Sequence, residues 1–559
     1  MPALQTHPAV NDDVPVQAQL PTFRRKLSPN ELSYFLPSRA NGANDMFLLG
    51  TIHAPEVLVT SHRLQIVWAI VRLRHPLMAC RVQMELGRYD SAEFIYTPPS
   101  SPTEALRETG HSLHFHNNIP TPKFTSDFLN APRKLSSNML SRLDILRQKQ
   151  LSAGVREYTL FLTLQHVIND GRGICNILDL VLELLAGSAQ PGSVQPRTDA
   201  ELYSVLEAEW TKRWGVSAPL ANWDVLPRAM EDQLLTAPRT KLQQAADRVD
   251  NELLQRKYIG GQSFKRVDTK QSHTRLVQIG FDEVQTATIL ANCKTQRVTP
   301  ANAMCGVVNV AWMRFAAAHP DLVDADPKLP MLLYTALSLR GSLKQGTATE
   351  LSSDMELALG YHNVVLPAFA PTERPTKEVF WTRSREAQRQ MRTFSTSPLF
   401  YNRTLVTCKE RERRAKAWAR IDDETAGLIP RAPKPAATAP VQPRNPTASI
   451  FPSTALLGLS QSGDTKHSFH IHRYPSIDFV DVLGGPRRGR GARFLLYSLT
   501  FRGRFSLHMF WDDASFPKGV AEEFLRLIGD GVKEFVLEDT RAKAMVIDRC
   551  GDEELTARL

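Results

Sequence analysis

The sequence predicts an α/β protein made of two lobes. An apolar, β-branched run, Glu157–Gln165, is followed by a short loop and then by apolar residues at helical spacing, which is the strand–loop–helix order of α/β architecture. A second group of strand and helix patterns begins near Gln271, after a charged stretch of helical character. At 559 residues the chain is long enough for two separate cores.

We predict five segments along the chain. Residues 1–22 mix prolines with polar groups and form a disordered N-terminal tail, while residues 551–559 form a C-terminal tail. Between them lie the first lobe at 23–197, a helical crossover at 198–270 and the second lobe at 271–550. Within the second lobe, residues 428–449 are rich in proline and alanine, so we expect a flexible surface insertion there.

Four patterns build the first lobe around the central strand. Met46–Ile52 and Leu77–Met84 are apolar enough to be strands. Between them, Ser61–His75 carries an apolar stripe at helical spacing and stops before a proline, which disfavours a helical residue ahead of it. After the loop, Ile174–Leu185 repeats the helical spacing until a glycine supplies a C-cap.

The second lobe shows a comparable mixture. Thr299–Pro300 has the form of an N-cap followed by proline at the first helical position, and Met331–Arg340 is the strongest strand pattern. Ala492–Phe501 and Phe505–Trp511 are two further strands joined by a tight link. Ser515–Pro517 is expected to open a final helix.

Composition limits the class of protein. The net charge of +10 favours an anionic partner, which could be a nucleic acid, a membrane surface or a phosphate-bearing molecule such as a coenzyme A thioester. Six cysteines without a C-x-x-C pair suggest neither a zinc ribbon nor a disulfide framework, and fit a reducing compartment. No apolar run reaches the roughly 18 residues that cross a bilayer, and the first 22 residues lack a secretory signal. We expect a soluble or at most peripheral protein.

The stretch FLTLQHVINDGRG, residues 161–173, places His166 and Asp170 just after the central strand. On a helix, their spacing would put two metal ligands on one face. The residues before His166 are strand-like, however, and Asn169-Asp170-Gly171 is a strong turn signal, so we place the pair on a loop and predict no metal site. From the residues alone, this loop is either an ordinary turn or the position of a catalytic base.

The segment QHVINDG resembles the H-H-x-x-x-D-G motif of the chloramphenicol acetyltransferase-like superfamily, which includes peptide condensation domains and acyl-CoA-dependent alcohol acyltransferases. The first histidine of that motif is Gln165 here. RLRHPLMACRV, LYTALSLR and FRGRFSLHMFWDDASFP resemble further segments of the superfamily, and LYTALSLR ends at Arg340. The D-F-G-W-G motif of plant members is absent. The chain is most similar to the fungal branch, which includes trichothecene-type O-acetyltransferases and the peroxisomal mannosylerythritol lipid acyltransferases of smut fungi.

The resemblance implies two similar lobes, each a mixed β-sheet with flanking helices, and a substrate tunnel between them. It implies that His166 is the general base, that Asp170 pairs with Arg340, and that acyl-CoA is a co-substrate without any permanently bound cofactor. We expect Gly171 to permit a turn that a residue with a Cβ would strain, and Gly173 to give the chain room before the helix. The oxyanion donor stays open.

The same resemblance favours a monomer that moves a fatty acyl chain to the hydroxyl of a sugar-containing glycolipid. O-acetylation of a sesquiterpenoid alcohol is the alternative. A non-catalytic module that keeps the fold to bind a carrier or partner protein is the alternative of another class.

Weaker candidates complete the set. His362 and Asn363, in GYHNVVLP, resemble a tunnel element of alcohol acyltransferases. In GGPRRGRGAR, Arg487, Arg488 and Arg490 could bind the coenzyme A phosphates, although a short basic run usually only faces water. No aromatic residues interleave with these arginines, so we expect no nucleic-acid partner.

Three further features complete the sequence predictions. CKERERRAKAWAR, Cys408–Arg420, is predicted as an exposed mixed-charge helix without an assigned function. Two histidine clusters, at 111–116 and 467–472, lack acidic or thiol partners of diagnostic spacing and are interpreted as strand or loop residues. Ala557, Arg558 and Leu559 have the pattern of a variant peroxisomal address, which would recruit an import receptor; a cytoplasmic protein is the alternative.

Overall fold

The computed structural model describes residues 21–188, 193–215, 225–234, 239–269, 272–326, 328–343, 355–370, 375–431, 454–489 and 492–550. Most of the predicted N-terminal tail, the C-terminal tail and residues 432–449 of the predicted insertion lie outside these described residues.

Strands and helices alternate through the first third of the chain, as the sequence predicts. The elements are β1 (Phe23–Lys26), α1 (Pro29–Asn41), β2 (Met46–Pro55), α2 (Ser61–Arg74), β3 (Arg81–Glu85), β4 (Arg88–Tyr96), α3 (Pro102–Thr109), β5 (Leu113–Asn117), α4 (Thr121–Asn130), β6 (Ser141–Ser152), β7 (Val155–Leu164) and α5 (Gly171–Ala186). The crossover then supplies α6 (Asp199–Trp214), α7 (Met230–Gln233) and α8 (Lys241–Gln255).

The second lobe begins with a short strand inside the predicted crossover. Its elements are β8 (Gln262–Phe264), β9 (Thr274–Gly280), α9 (Glu283–Thr295), α10 (Pro300–Ala318), β10 (Val323–Ala325), β11 (Met331–Ser338), β12 (Leu359–Leu366), α11 (Lys377–Ser395), α12 (Phe400–Thr425), β13 (Leu457–Asp464), β14 (Asp478–Pro486), β15 (Leu495–Phe501), β16 (Arg504–Asp512), α13 (Val520–Gly531) and β17 (Met545–Asp548). A π-helical turn, Val532–Leu537, continues α13.

Each lobe is organised around one mixed sheet. The first sheet has the order β14–β2–β7–β6–β5, antiparallel except for β5 and β6, and the second has the order β12–β11–β13–β15–β16–β9–β17, with β11, β13 and β15 parallel. Buried apolar side chains form two principal clusters, one that contains Trp68 and Phe161 and another that contains Trp312 and Trp511. The predicted α/β class with two lobes is confirmed.

Several predicted elements have different boundaries. The segment predicted as a strand at Leu77–Met84 begins with a 3₁₀ turn, Pro76–Ala79, before β3 pairs with β4. The final helix starts at Val520 and not near Ser515, because the Ser515 hydroxyl is hydrogen-bonded to Asp512 and a left-handed Gly519 precedes the helix. Arg502 and Gly503 form the tight link between β15 and β16, both with positive φ (48° and 74°).

The lobes exchange elements across their boundary. Strand β14 lies within the segment predicted as the second lobe, but it pairs with β2 and forms the edge of the first sheet. On the other side, α1 of the first lobe packs against α12 of the second. A division of the chain at residue 271 therefore describes its order in sequence better than its arrangement in space.

Candidate active site

The loop after β7 is shaped by Asp170. Strand β7 ends at Leu164, beside Met46 at the start of β2, so the following residues leave the first sheet at the end of its central strand. Asp170 has extended backbone geometry and accepts hydrogen bonds from the amides of Arg172 and Gly173, each at 3.1 Å. This is an N-cap of α5, in which a side-chain oxygen satisfies amides that the helix leaves unpaired.

Gly173, and not Gly171, is the glycine that the loop needs. A Cβ at position 173 would lie 1.7 Å from Oδ1 of Asn169, whereas one at position 171 would meet no atom within 4 Å. Gly171 is the first residue of α5 and its φ is not positive. The conformational role expected of Gly171 is therefore wrong, and the close approach of Asn169 explains the glycine two positions later.

The imidazole of His166 is held by its own loop. Its Nδ1 lies 2.8 Å from the carbonyl oxygen of Asn169, and because a carbonyl can only accept, Nδ1 carries the proton. Nε2 is then the unprotonated nitrogen of the neutral ring, and His166 lines the cavity between the lobes. Burial lowers the pKa of His166 below its ordinary value, while the charge of Asp170 acts in the opposite sense. The ring is therefore neutral at physiological pH.

Asp170 also meets the predicted arginine of the other lobe. Nη2 of Arg340 donates to Oδ2 of Asp170 at 3.0 Å and to Oδ1 of Asn169 at 3.2 Å. The amide of Ala358, just before β12, donates to the same Asp170 oxygen at 3.1 Å. Asp170 borders the cavity, but the hydrogen-bond partners of its carboxylate are these groups and the amides of α5, so its contribution to the site is to fix the loop that carries His166.

A cavity of about 290 Å³ lies between the two sheets, in front of His166. One wall is apolar and comes from the start of β2, from α5 and from β15; a polar wall comes from β13, which pairs with β15, and from the residues after β13. The polar wall consists of Ser460, Gln461, Ser462, Asp464, Thr465, His467 and Ser468. A molecule in this cavity would contact both lobes.

His362 does not reach this cavity. Alternate residues of β12 face opposite sides of the sheet, and Leu359 faces the cavity. His362 faces the other way, where it stacks on Phe394 at 4.4 Å and burial lowers its pKa to about 4. Asn363 is on the same face as Leu359, but it is not part of the cavity wall.

The predicted phosphate-binding arginines follow the strand that closes the cavity. Gly484, Gly485 and Pro486 line the cavity, and Arg487 and Arg488 come next. Arg487 donates to the carbonyl of Phe128 at 3.2 Å, and Arg488 donates to the carbonyl of Arg493 at 2.9 Å. Arg490 and the C-terminal Ala557, Arg558 and Leu559 lie outside the described residues.

The two histidine clusters contribute to folding contacts. His116 lies 2.7 Å from the buried carboxylate of Asp144, and Nδ1 of His470 lies 2.7 Å from Asp179. In the described part of the chain, no group of three histidine, cysteine or acidic side chains is arranged to hold a metal ion. No helix within that part is long and apolar enough to span a bilayer.

Sequence reasoning missed the residues on the other side of His166. The Tyr34 ring of α1 lies 4.2 Å from the imidazole, tilted by 33°. Arg411, within the segment predicted as an exposed helix, turns inward and lies over the Tyr34 and Tyr361 rings. No sequence motif marks these contacts, because they join residues hundreds of positions apart.

Comparisons with known proteins identify the fold. No protein-family profile matches the chain, and no curated protein matches it. Among solved structures, the TRI3 trichothecene 15-O-acetyltransferase of Fusarium sporotrichioides is 12% identical, with 94% of this chain and 98% of that chain covered at a TM-score of 0.65. The EpoB cyclization-docking bidomain of Sorangium cellulosum is 11% identical, with coverages of 92% and 85% and a TM-score of 0.52.

A third structure extends the range of this likeness. The epimerization domain of tyrocidine synthetase B is 7% identical, with coverages of 94% and 99% and a TM-score of 0.51. At such identities the likeness concerns the fold alone. The chain has the two-lobed fold of the chloramphenicol acetyltransferase-like and condensation-type proteins, as the sequence resemblance implies.

Proposed function

We propose that the protein is an acyl-CoA-dependent O-acyltransferase with His166 as its general base. The observation that carries this proposal is the fixed tautomer of His166: Nδ1 donates to the Asn169 carbonyl, which leaves Nε2 free to accept a proton in the cavity between the lobes. A hydroxyl is a weak nucleophile until its proton is leaving, and a neutral imidazole is well suited to take that proton.

Transfer is direct in this proposal. Nε2 takes the proton of the acceptor hydroxyl while the oxygen forms a bond to the thioester carbonyl carbon. The tetrahedral intermediate collapses by breaking the carbon–sulfur bond, and the imidazolium returns its proton to the leaving thiolate. The products are an ester and free coenzyme A, and His166 is neutral again.

Cys175, on the part of the apolar wall that α5 forms, is a nucleophile that could suggest an acyl-enzyme instead. Burial raises the pKa of its thiol to about 12, so at neutral pH the sulfur is protonated. Because the thiolate is the reactive form, this cysteine is poorly placed to attack a thioester. The environment of Cys175 therefore supports direct transfer.

The cavity favours compact substrates. Its volume of about 290 Å³ lies near the lower end of ordinary ligand pockets, which span about 300–1,000 Å³. A short acyl group with a compact ring alcohol, such as a sesquiterpenoid, suits this space. The hydroxyl- and amide-bearing side chains of the polar wall favour a second candidate, a glycolipid whose sugar hydroxyls they could bind.

The test is release of free thiol from acyl-CoA by the purified protein. Acetyl-CoA and palmitoyl-CoA would each be combined with a sesquiterpenoid alcohol and with a mannose-containing glycolipid, and the ester identified by mass spectrometry. We expect ester formation that depends on acceptor and is lost in His166→Gln. Stoichiometric binding of acyl-CoA with no ester from any combination would instead favour the non-catalytic binding module.

A further inference from the structure

Arg411 lies inside a box of three tyrosines next to His166. Its guanidinium carbon is 4.1 Å from the Tyr361 ring centre and 5.2 Å from that of Tyr34, and Nη1 donates to the Tyr334 hydroxyl at 2.8 Å. The Tyr34 and Tyr361 hydroxyls are hydrogen-bonded to each other, and Tyr361 stacks on Tyr334 at 5.1 Å. This tyrosine box joins α1 of the first lobe to β11, β12 and α12 of the second.

The surroundings of the Arg411 guanidinium differ from those of an ordinary ion-paired arginine. Among the described residues, no carboxylate lies within ion-pair distance of its guanidinium, and Nε is buried without a hydrogen-bond partner. Burial raises the pKa of the Tyr334 hydroxyl to about 12 and that of Tyr361 further still, so the phenols are neutral. Burial disfavours the charged guanidinium, whereas the three surrounding tyrosines favour it.

Arg413 provides the contrast on the same helix. It is exposed and forms an ion pair with Glu410 at 2.8 Å, which is the ordinary environment of an arginine. A buried charge beside a candidate catalytic residue is itself a candidate for a functional role. The neighbour of the tyrosine box that could use a fixed charge is His166.

Tyr34 connects the two groups. Its ring centre is 4.2 Å from that of His166 and 5.2 Å from the Arg411 guanidinium carbon, so the cation lies within about 9.4 Å of the imidazole centre. We propose that Arg411 is a positioning residue for His166: it holds Tyr34 against the imidazole, and its charge disfavours the imidazolium. This inference rests on the proposed function, in which His166 must be neutral before transfer and must release its proton afterwards.

Charged groups other than Arg411 also lie near His166. Asp170 favours the imidazolium, but Arg340 pairs with that carboxylate. Burial is the largest influence and lowers the pKa of His166, and Arg411 acts in the same direction. The titratable and charged side chains that face the imidazole, or the cavity in front of it, are Tyr34, Asp170, Arg172, Cys175, Arg411, Asp464, His467 and Tyr497.

The experiment compares Arg411→Met with Arg411→Lys, which keeps the charge, and with Arg413→Met on the exposed face of the same helix. Two quantities are measured against pH: kcat/KM, and the rate at which diethyl pyrocarbonate modifies His166, read by peptide mass spectrometry. The reagent reacts with neutral imidazole, so its rate reports the protonation of His166 without any substrate. Thermal melts establish that each variant is folded, and Arg411→Gln replaces the Met variant if that one is not.

We expect Arg411→Met to move the acid midpoint of both profiles upward by roughly half to one pH unit, because a nearby positive charge has been removed. Arg411→Lys and Arg413→Met should stay close to wild type. If Arg411→Met or Arg411→Gln is folded and the midpoint of its diethyl pyrocarbonate profile is unchanged, the inference is overturned. Absence of acyl transfer in wild type would refute the proposed function alone, since the modification profile still reports on Arg411.

Discussion

Arg340 and Asp170 form an ion pair that joins the second lobe to the first, with Nη2 and Oδ2 3.0 Å apart. The Asp170 side chain is 2% exposed and that of Arg340 13%. The same carboxylate caps α5 and accepts a hydrogen bond from the Ala358 amide, so one side chain links the start of a helix in the first lobe to two positions in the second. The loop that carries His166 is therefore positioned by both lobes together.

Disruption of this pair should destabilise the protein. We expect Asp170→Asn and Arg340→Met each to lower the free energy of unfolding by about 1.5–3 kcal/mol, because each removes a charge-assisted hydrogen bond between the lobes, while Arg340 keeps Glu356 at 4.0 Å and Asp170 keeps the Ala358 amide. The double variant should lose less than the sum of the two. Urea unfolding of all four proteins measures this coupling, and strict additivity would show that the pair contributes nothing of its own.

Removal of the imidazole should affect rate far more than stability. His166→Ala is expected to lower kcat by about 10²–10⁴, the range for loss of a general base. Its hydrogen bond to Asn169 is worth only about 1 kcal/mol, so the variant should stay folded. Full turnover in folded His166→Ala, measured by thiol release, would contradict the mechanism.

The two loop glycines form a matched pair of tests. Gly173→Ala should cost about 1–3 kcal/mol, because a methyl group there collides with the Asn169 amide and displaces the loop. Gly171→Ala should change the free energy of unfolding by less than about 0.5 kcal/mol, because the space is open. Equal effects of the two substitutions, by urea unfolding and kcat, would refute this assignment.

Acid should weaken the fold through buried histidines. Burial, and then the charge of Arg549, lower the pKa of His508 to about 3. Below the ordinary histidine pKa of about 6.5, His508 binds a proton in the unfolded chain but stays unprotonated in the folded chain. The free energy of unfolding should therefore fall by about 1.4 kcal/mol per pH unit from this residue, down to about pH 3.

Denaturant unfolding between pH 7 and pH 4 measures this effect. His508→Gln should remove the uptake of one proton on unfolding, so the free energy of unfolding should fall less steeply as the pH is lowered. This expectation holds whatever the effect of the substitution at pH 7. His111→Gln, the same substitution at an exposed position, is the control. An unchanged slope in His508→Gln would mean that this imidazole is not held neutral.

The C-terminal tripeptide leads to a prediction in cells. If Ala557, Arg558 and Leu559 are a peroxisomal address, a fluorescent N-terminal fusion should appear in puncta that overlap a peroxisomal marker. Deletion of Leu559 should disperse the signal into the cytosol. Puncta that persist after the deletion would exclude this address.

Local signals made much of the site predictable. A buried strand, an Asn-Asp-Gly turn and a helical repeat place the His166 loop correctly, because each depends on nearby residues. His362 shows the limit of such signals. Successive side chains of a strand point to opposite faces of the sheet, and the sequence alone does not tell which of the two faces borders the cavity. Arg411 shows another limit, since a mixed-charge helix gives no indication that one of its arginines is turned inward.

The passage of β14 into the first sheet has a consequence for biosynthesis. On the ribosome, β2 is made more than 400 residues before its edge partner, Asp478–Pro486, leaves the exit tunnel. Until then the growing polypeptide presents an unpaired strand edge, the kind of surface that invites mispairing between chains. The first sheet is therefore complete only after nearly all of the second lobe has been synthesised. A nascent chain arrested before residue 478 should depend on chaperones.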